Sequence, residues 1–207
     1  ADGELRKGDY VNARRRMVAE YLTGLEGLTV GVVGLGVIGL TVAQTFHVLG
    51  GKIAYHDPAP RDPKAASQLS AVALPLHELL ASADIVTLHV PLLPSTESLI
   101  GDRELGEMKD GAILINAARG GIVDEAALVR HLINGHLGGA AVDVYSSEPP
   151  TPDNPLLSAE QEVGRRLLLT PHIAGVTRQS WVNLFSAAWQ NVEQLLLHDE
   201  RPVNRVV

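Results

Sequence analysis

Residues 34–39 read Gly-Leu-Gly-Val-Ile-Gly, and no other stretch restricts the fold of this chain as much. They follow an apolar, β-rich run at 28–33. They precede residues 40–50, where Val42, Phe46 and Leu49 recur at helical spacing. A strand that turns at once into a helix must bend sharply, and the helix must then lie close on the strand. Glycines at this spacing meet both needs: Gly34 allows the tight turn, Gly36 lets another group approach the backbone, and Gly39 admits close packing of helix on strand. Gly50 and Gly51 stop the helix.

The same alternation runs through the rest of the chain. Strands are expected at 52–56, 70–74, 84–90, 111–116, 138–144 and 166–170. Helices are expected at 9–23, 61–69, 75–83, 124–135 and 177–198. Pro75 opens one helix and Gly135 closes another. Short apolar strands alternating with helices predict an α/β fold, a doubly wound parallel sheet of the Rossmann type with helices on both faces. Residues 1–24 are expected to form a lead-in helix and linker, 25–176 the dinucleotide-binding domain, and 177–207 a C-terminal helix and return segment. The proline-rich stretch 146–166 reads as one long loop.

A glycine loop between strand and helix is suited to a pyrophosphate, which the free N–H groups and positive dipole end of the helix attract. Asp57 stands eighteen residues after Gly39, at the end of the next strand, where a carboxylate can accept hydrogen bonds from a ribose and repel a 2′-phosphate. The reading is therefore NAD rather than NADP, with Arg61 and Lys64 close enough to moderate the choice. Totals narrow the class further. A net charge of −7 argues against general nucleic-acid binding, and the cluster Arg14-Arg15-Arg16 reads as a solvated helix face. No apolar run is long enough to span a bilayer, and the chain has no cysteine, which fits the cytoplasm. His131 and His136, five apart across a helix end, do not share a face and read as surface residues; no metal site is expected.

Ligands of open α/β sheets sit at the carboxyl ends of the strands. His89 stands near one such end, Arg119 after a second, Asp143 and Glu148 after a third, and His172 after a fourth. Singly, each residue is ordinary: a structural histidine, a surface ion pair, a turn. Together they suit hydride exchange with a 2-oxo acid. Arg119 can hold a carboxylate through paired, planar hydrogen bonds, His172 can give or take the proton, and Glu148 can orient and charge the imidazole.

The segments 30–39, 116–128, 140–150 and 170–177 resemble the signature blocks of the D-isomer-specific 2-hydroxyacid dehydrogenases, from about residue 25 to the C-terminus. The resemblance implies Arg119 as the substrate-binding arginine, His172 as the acid/base and Glu148 as its partner. It implies contacts to the cofactor from Gly34, Gly36, Val37, Ile38, Gly39, Asp57, Val90, Pro91, Ala118, Asp143, His172 and Gly175, with Asp143 toward the nicotinamide carboxamide. It also implies a homodimer through the nucleotide domain. Two departures stand out. Val37 occupies a position that is often arginine, and the family's N-terminal substrate lobe has no counterpart here. The tail from residue 197 therefore reads as a return toward an absent lobe; a truncated product, an isolated domain, a proteolytic remnant and one half of a split enzyme, with the lobe on a separate chain, all remain open. Within the resemblance, glyoxylate, hydroxypyruvate, phosphoglycerate, lactate-type acids and phosphite remain open as substrates. An NAD(H)-responsive, corepressor-like module without turnover remains open as a different class. Trp181 and Trp189, eight apart, read as core packing on the final helix.

Overall fold

The structure is a computed structural model that describes residues 2–19, 24–59, 63–198 and 200–201. Arg61, the end of the expected lead-in helix at 20–23 and most of the tail beyond 198 lie outside the described residues. The strands are β1 (Thr29–Val33), β2 (Lys52–His56), β3 (Val72–Ala73), β4 (Ile85–Leu88), β5 (Ile113–Asn116), β6 (Gly139–Val142) and β7 (Leu167–Leu169). They form one sheet in the order β3-β2-β1-β4-β5-β6-β7, with every pairing parallel. The order reverses between β1 and β4, and a crevice opens beyond the carboxyl ends of the strands at that point.

The described helices are α1 (Asp2–Leu5), α2 (Tyr10–Ala19), α3 (Val37–Val48), α4 (Pro63–Gln68), α5 (Leu76–Ser82), α6 (Asp102–Glu107), α7 (Glu125–Ile133), α8 (Pro155–Ser158), α9 (Glu160–Val163) and α10 (Arg178–Leu197). β1 shows why the sheet is covered on both faces. Val30 and Val32 point into a cluster with Ala43 and Ile53, while Val33 joins Leu79, Leu80 and Leu88 in the larger core. Gly31 is fixed by the same packing, since a Cβ there would come within 2.5 Å of Leu79 Cδ2. Asp124 caps α7 by accepting the N–H of Ala127 at 2.9 Å.

Several expectations are corrected. The strand at 70–74 shrinks to two exposed edge residues. Helix α6 was not anticipated, because six residues are too few to show a period. The stretch 146–166 is not a structureless loop: it holds α8, α9 and a 3-10 turn, and it buries Leu156, Ala159 and Val163 in the core. Glu125 ties this segment to α7 by accepting from Ser146 N–H (2.7 Å), Ser146 Oγ (2.9 Å) and Asn154 Nδ2 (2.7 Å). Trp181 and Trp189 are not core residues; they are 48% and 64% exposed on α10, which has no buried residue. His131 and His136 are more covered than expected and meet edge to face at 5.4 Å. Among the described residues no helix is long and apolar enough to cross a membrane, and no group of three or more His, Asp or Glu could hold a metal.

Candidate active site

The glycine loop gives each of its three glycines a different physical duty. Gly34 has φ +92°, a left-handed conformation that favours glycine, and it sits against the carbonyl of His89. Gly39 faces the carbonyl of Gly34, where a Cβ would lie 1.9 Å from the oxygen. Around Gly36, by contrast, the space where a Cβ would stand has no atom within 4 Å. No side chain caps the N-terminus of α3, so its first N–H groups remain for a ligand, beside the exposed side chains of Val37 and Ile38. An open cradle with uncapped helical donors fits a dinucleotide's pyrophosphate. Asp57 is joined to this loop: its Oδ2 accepts the N–H of Leu35 at 2.8 Å, and its Oδ1 accepts that of Ala59 at 2.9 Å.

A cleft of about 630 Å3 runs from this loop to the carboxyl ends of β4, β5 and β6, and Ile38, His89, Arg119, Asp143, His172 and Gly175 are among the residues lining it. Val90 packs on the core beside Gly34, and Pro91 is exposed just beyond it. Ala117 lines the cleft, whereas Ala118 is buried and acts through its carbonyl, which accepts a hydrogen bond from Arg119 Nη1 at 2.7 Å. The buried side chain of Asn116 shapes this turn. Its Oδ1 accepts the N–H of Ala118, and its Nδ2 donates to the carbonyl of Arg119, each at 3.2 Å. The sequence held one signal for Asn116, an amide at the end of an apolar strand, a side chain that readily bonds to nearby backbone.

His172 and Glu148, twenty-four residues apart, meet at 2.7 Å through Nδ1 and Oε2. The second carboxylate oxygen, Oε1, accepts the N–H of Tyr145 at 3.0 Å. The hydrogen bond from His172 and that from Tyr145, with the charge of Arg119 nearby, hold the Glu148 carboxyl below its ordinary range. A carboxylate only accepts, so Nδ1 carries a hydrogen and Nε2 is the nitrogen left to exchange a proton.

Asp143 is buried, which opposes its ionisation. Hydrogen bonds from Thr170 Oγ1 and from the N–H groups of Ala174 and Ile173 outweigh that cost and hold its carboxyl below the usual value. Its carbonyl also accepts the N–H of His172 at 2.8 Å. Asp143 thus fixes the turn on which His172 sits, a turn with φ +52° at the histidine itself. His89, at a strand end, also lines the cleft; burial pushes its imidazole pKa down and favours the neutral form, while Nε2 lies 3.0 Å from Thr87 Oγ1.

Residues 1–174 match the family model described as D-isomer specific 2-hydroxyacid dehydrogenase, NAD binding domain. D-3-phosphoglycerate dehydrogenase of Archaeoglobus fulgidus is 44% identical over 160 residues, which are 77% of this chain and 29% of that protein. (S)-Sulfolactate dehydrogenase of Chromohalobacter salexigens is 42% identical over 198 residues, 93% of this chain and 62% of that protein. Among solved structures, D-lactate dehydrogenase of Aquifex aeolicus complexed with NAD and lactic acid superposes with a TM-score of 0.82 at 30% identity, covering 96% of this chain and 61% of that one. The chain therefore spans between 29% and 62% of the length of these two relatives. With the parallel sheet, the glycine cradle and a match over most of its length, the chain belongs to the D-isomer specific 2-hydroxyacid dehydrogenase family, within which it is the NAD binding domain.

Proposed function

We propose that this domain carries the catalytic residues of an enzyme that interconverts a 2-oxo acid and a D-2-hydroxy acid. The observation that carries the reading is the pairing of His172 Nδ1 with Glu148 at 2.7 Å on the rim of the cleft that Arg119 also lines. Arg119 spends one donor on the carbonyl of Ala118, and the rest of its planar fork is available to a substrate carboxylate. The imidazolium of His172 gives its Nε2 proton to the carbonyl oxygen in reduction and takes it back in oxidation, while Glu148 holds the ring and balances its charge. Bound NAD supplies the redox chemistry, a hydride given to or taken from the substrate's C2. The backbone of 34–39 and the first turn of α3 hold the pyrophosphate, Asp57 takes the ribose hydroxyls and disfavours NADP, and the segments at Val90-Pro91, Ala118, Asp143 and Gly175 line the nicotinamide end.

Partners follow from the same reading. Trp181, Phe185 and Trp189 on α10 present apolar surface that a substrate lobe would cover, whether carried on further sequence or on a separate chain. A second copy joins through the nucleotide domain, and the compartment is the cytoplasm. The test follows NADH absorbance with glyoxylate, hydroxypyruvate and pyruvate, alongside an NADH fluorescence titration. Turnover that vanishes in His172→Gln while NADH still binds is the expected result. NADH binding with no turnover on any 2-oxo acid, or full turnover in His172→Gln, overturns the reading.

A further inference from the structure

The reaction above makes no use of the buried side chain of Tyr145, which lies among the segments that carry Arg119, Glu148 and His172. Tyr145 is 7% exposed and follows β6 by three residues. Its N–H donates to Glu148 Oε1 at 3.0 Å, and its hydroxyl donates to the carbonyl of Thr170 at 2.9 Å. Its own carbonyl is packed against Gly120, where a Cβ would come within 1.7 Å of the oxygen, so the turn bearing Arg119 rests on it.

The Thr170 carbonyl is the informative contact, because it also accepts the N–H of His172 at 3.1 Å. The phenol and the backbone of the histidine share one acceptor. That histidine has φ +52°, a conformation that side-chain-bearing residues hold only when their surroundings over-determine it. Packing does not over-determine it on this side. About 360 Å3 of mostly apolar open space borders Tyr145, Glu148, Pro171 and His172, so hydrogen bonds rather than neighbouring atoms keep the turn in place. Asp143 holds the turn through Thr170 Oγ1, through its own carbonyl on the His172 N–H and through Ile173 and Ala174, and Tyr145 adds a bond to the Thr170 carbonyl.

We propose that Tyr145 is a positioning residue: its hydroxyl, through the shared Thr170 carbonyl, sets the imidazole of His172 against Glu148. The contacts stand by themselves; only the consequence for turnover rests on the reaction proposed above.

Tyr145→Phe is the test, since it keeps the ring and removes one hydroxyl. The first readout is the downfield Nδ1–H proton resonance of His172, assigned by its loss in His172→Gln, which reports the bond to Glu148 without any turnover. The second is steady-state kinetics. The expected result is a resonance that moves upfield or broadens in Tyr145→Phe, with kcat down about tenfold and NADH affinity unchanged. A resonance identical in position and width to that of the unsubstituted protein overturns the proposal, whatever the kinetics or melting temperature do. If the unsubstituted protein turns over no 2-oxo acid and the resonance still moves in Tyr145→Phe, the proposed reaction fails and the role of Tyr145 stands.

Discussion

Two alanine substitutions three residues apart, at Gly36 and Gly39, should damage the protein in opposite ways. At Gly39 a Cβ would stand 1.9 Å from the carbonyl oxygen of Gly34, against a lower limit of 3.0 Å for real contacts. The missing 1.1 Å lies between two backbone segments and no flexible side chain can yield it. Overpacking of this kind costs about 3 kcal/mol, toward the upper end of its usual range. Replacing a helical glycine by alanine returns about 1 kcal/mol. The net loss of about 2 kcal/mol corresponds to a fall in melting temperature of about 4–8 °C for a chain of this size. At Gly36 the same methyl meets open space, and the backbone there, at φ −73°, accepts any residue. Gly36→Ala should therefore melt within about 1 °C of the unsubstituted protein. It should bind NADH at least about tenfold more weakly, because the methyl occupies the approach to the α3 N-terminus. Differential scanning fluorimetry and a fluorescence titration of NADH read both quantities. Gly39→Ala with an unchanged melting temperature would refute the close packing of α3 on the loop. Gly36→Ala with full affinity would refute the placement of the pyrophosphate.

Other perturbations address the acid–base pair and its support. Glu148→Gln keeps the size of the side chain but removes the charge that balances the imidazolium; kcat should fall about a hundredfold with NADH affinity unchanged, and stopped-flow turnover at full kcat would sink the assignment. Asp143 has its carboxyl held below its unfolded value, so its ionised form stabilises the fold above that value. The contribution fades as pH falls through the lowered folded value. The melting temperature of the unsubstituted protein should therefore drop more steeply below about pH 4 than that of Asp143→Asn. Parallel slopes for the two proteins across that window would show that Asp143 does not carry this linkage.

The strand–turn–helix unit was legible in the sequence because each of its features depends on near neighbours: a glycine at φ +92°, an apolar face three and four residues apart, two glycines at the helix end. Strand ends were legible for the same reason, and a parallel sheet has only one edge on which its carboxyl ends converge. Arg119, Glu148 and His172, from three separate segments, therefore share that edge. The resemblance pairs Glu148 with His172, but the residues alone do not state which side chains touch. The 2.7 Å approach of Glu148 to His172 depends on the register of β6 with β7, Val142 beside Leu169, a relation between residues that no local pattern encodes.

The same reason accounts for the rest. The stretch 146–166 carries proline and charge that locally mean a loop, yet the burial of Leu156, Ala159 and Val163 against the larger core winds two short helices out of it. Trp181 and Trp189 share a helical face, which a sequence reads as core; only the fold decides that no described element covers it. Asp143 carries a carboxylate whose type was evident and whose hydrogen bonds to Thr170, Ile173 and Ala174 were not. Residue types and local periods fixed the kind of chemistry available to this chain. Long-range register and packing decided which atoms meet, because those contacts join residues twenty or more positions apart and exist only once the sheet has formed.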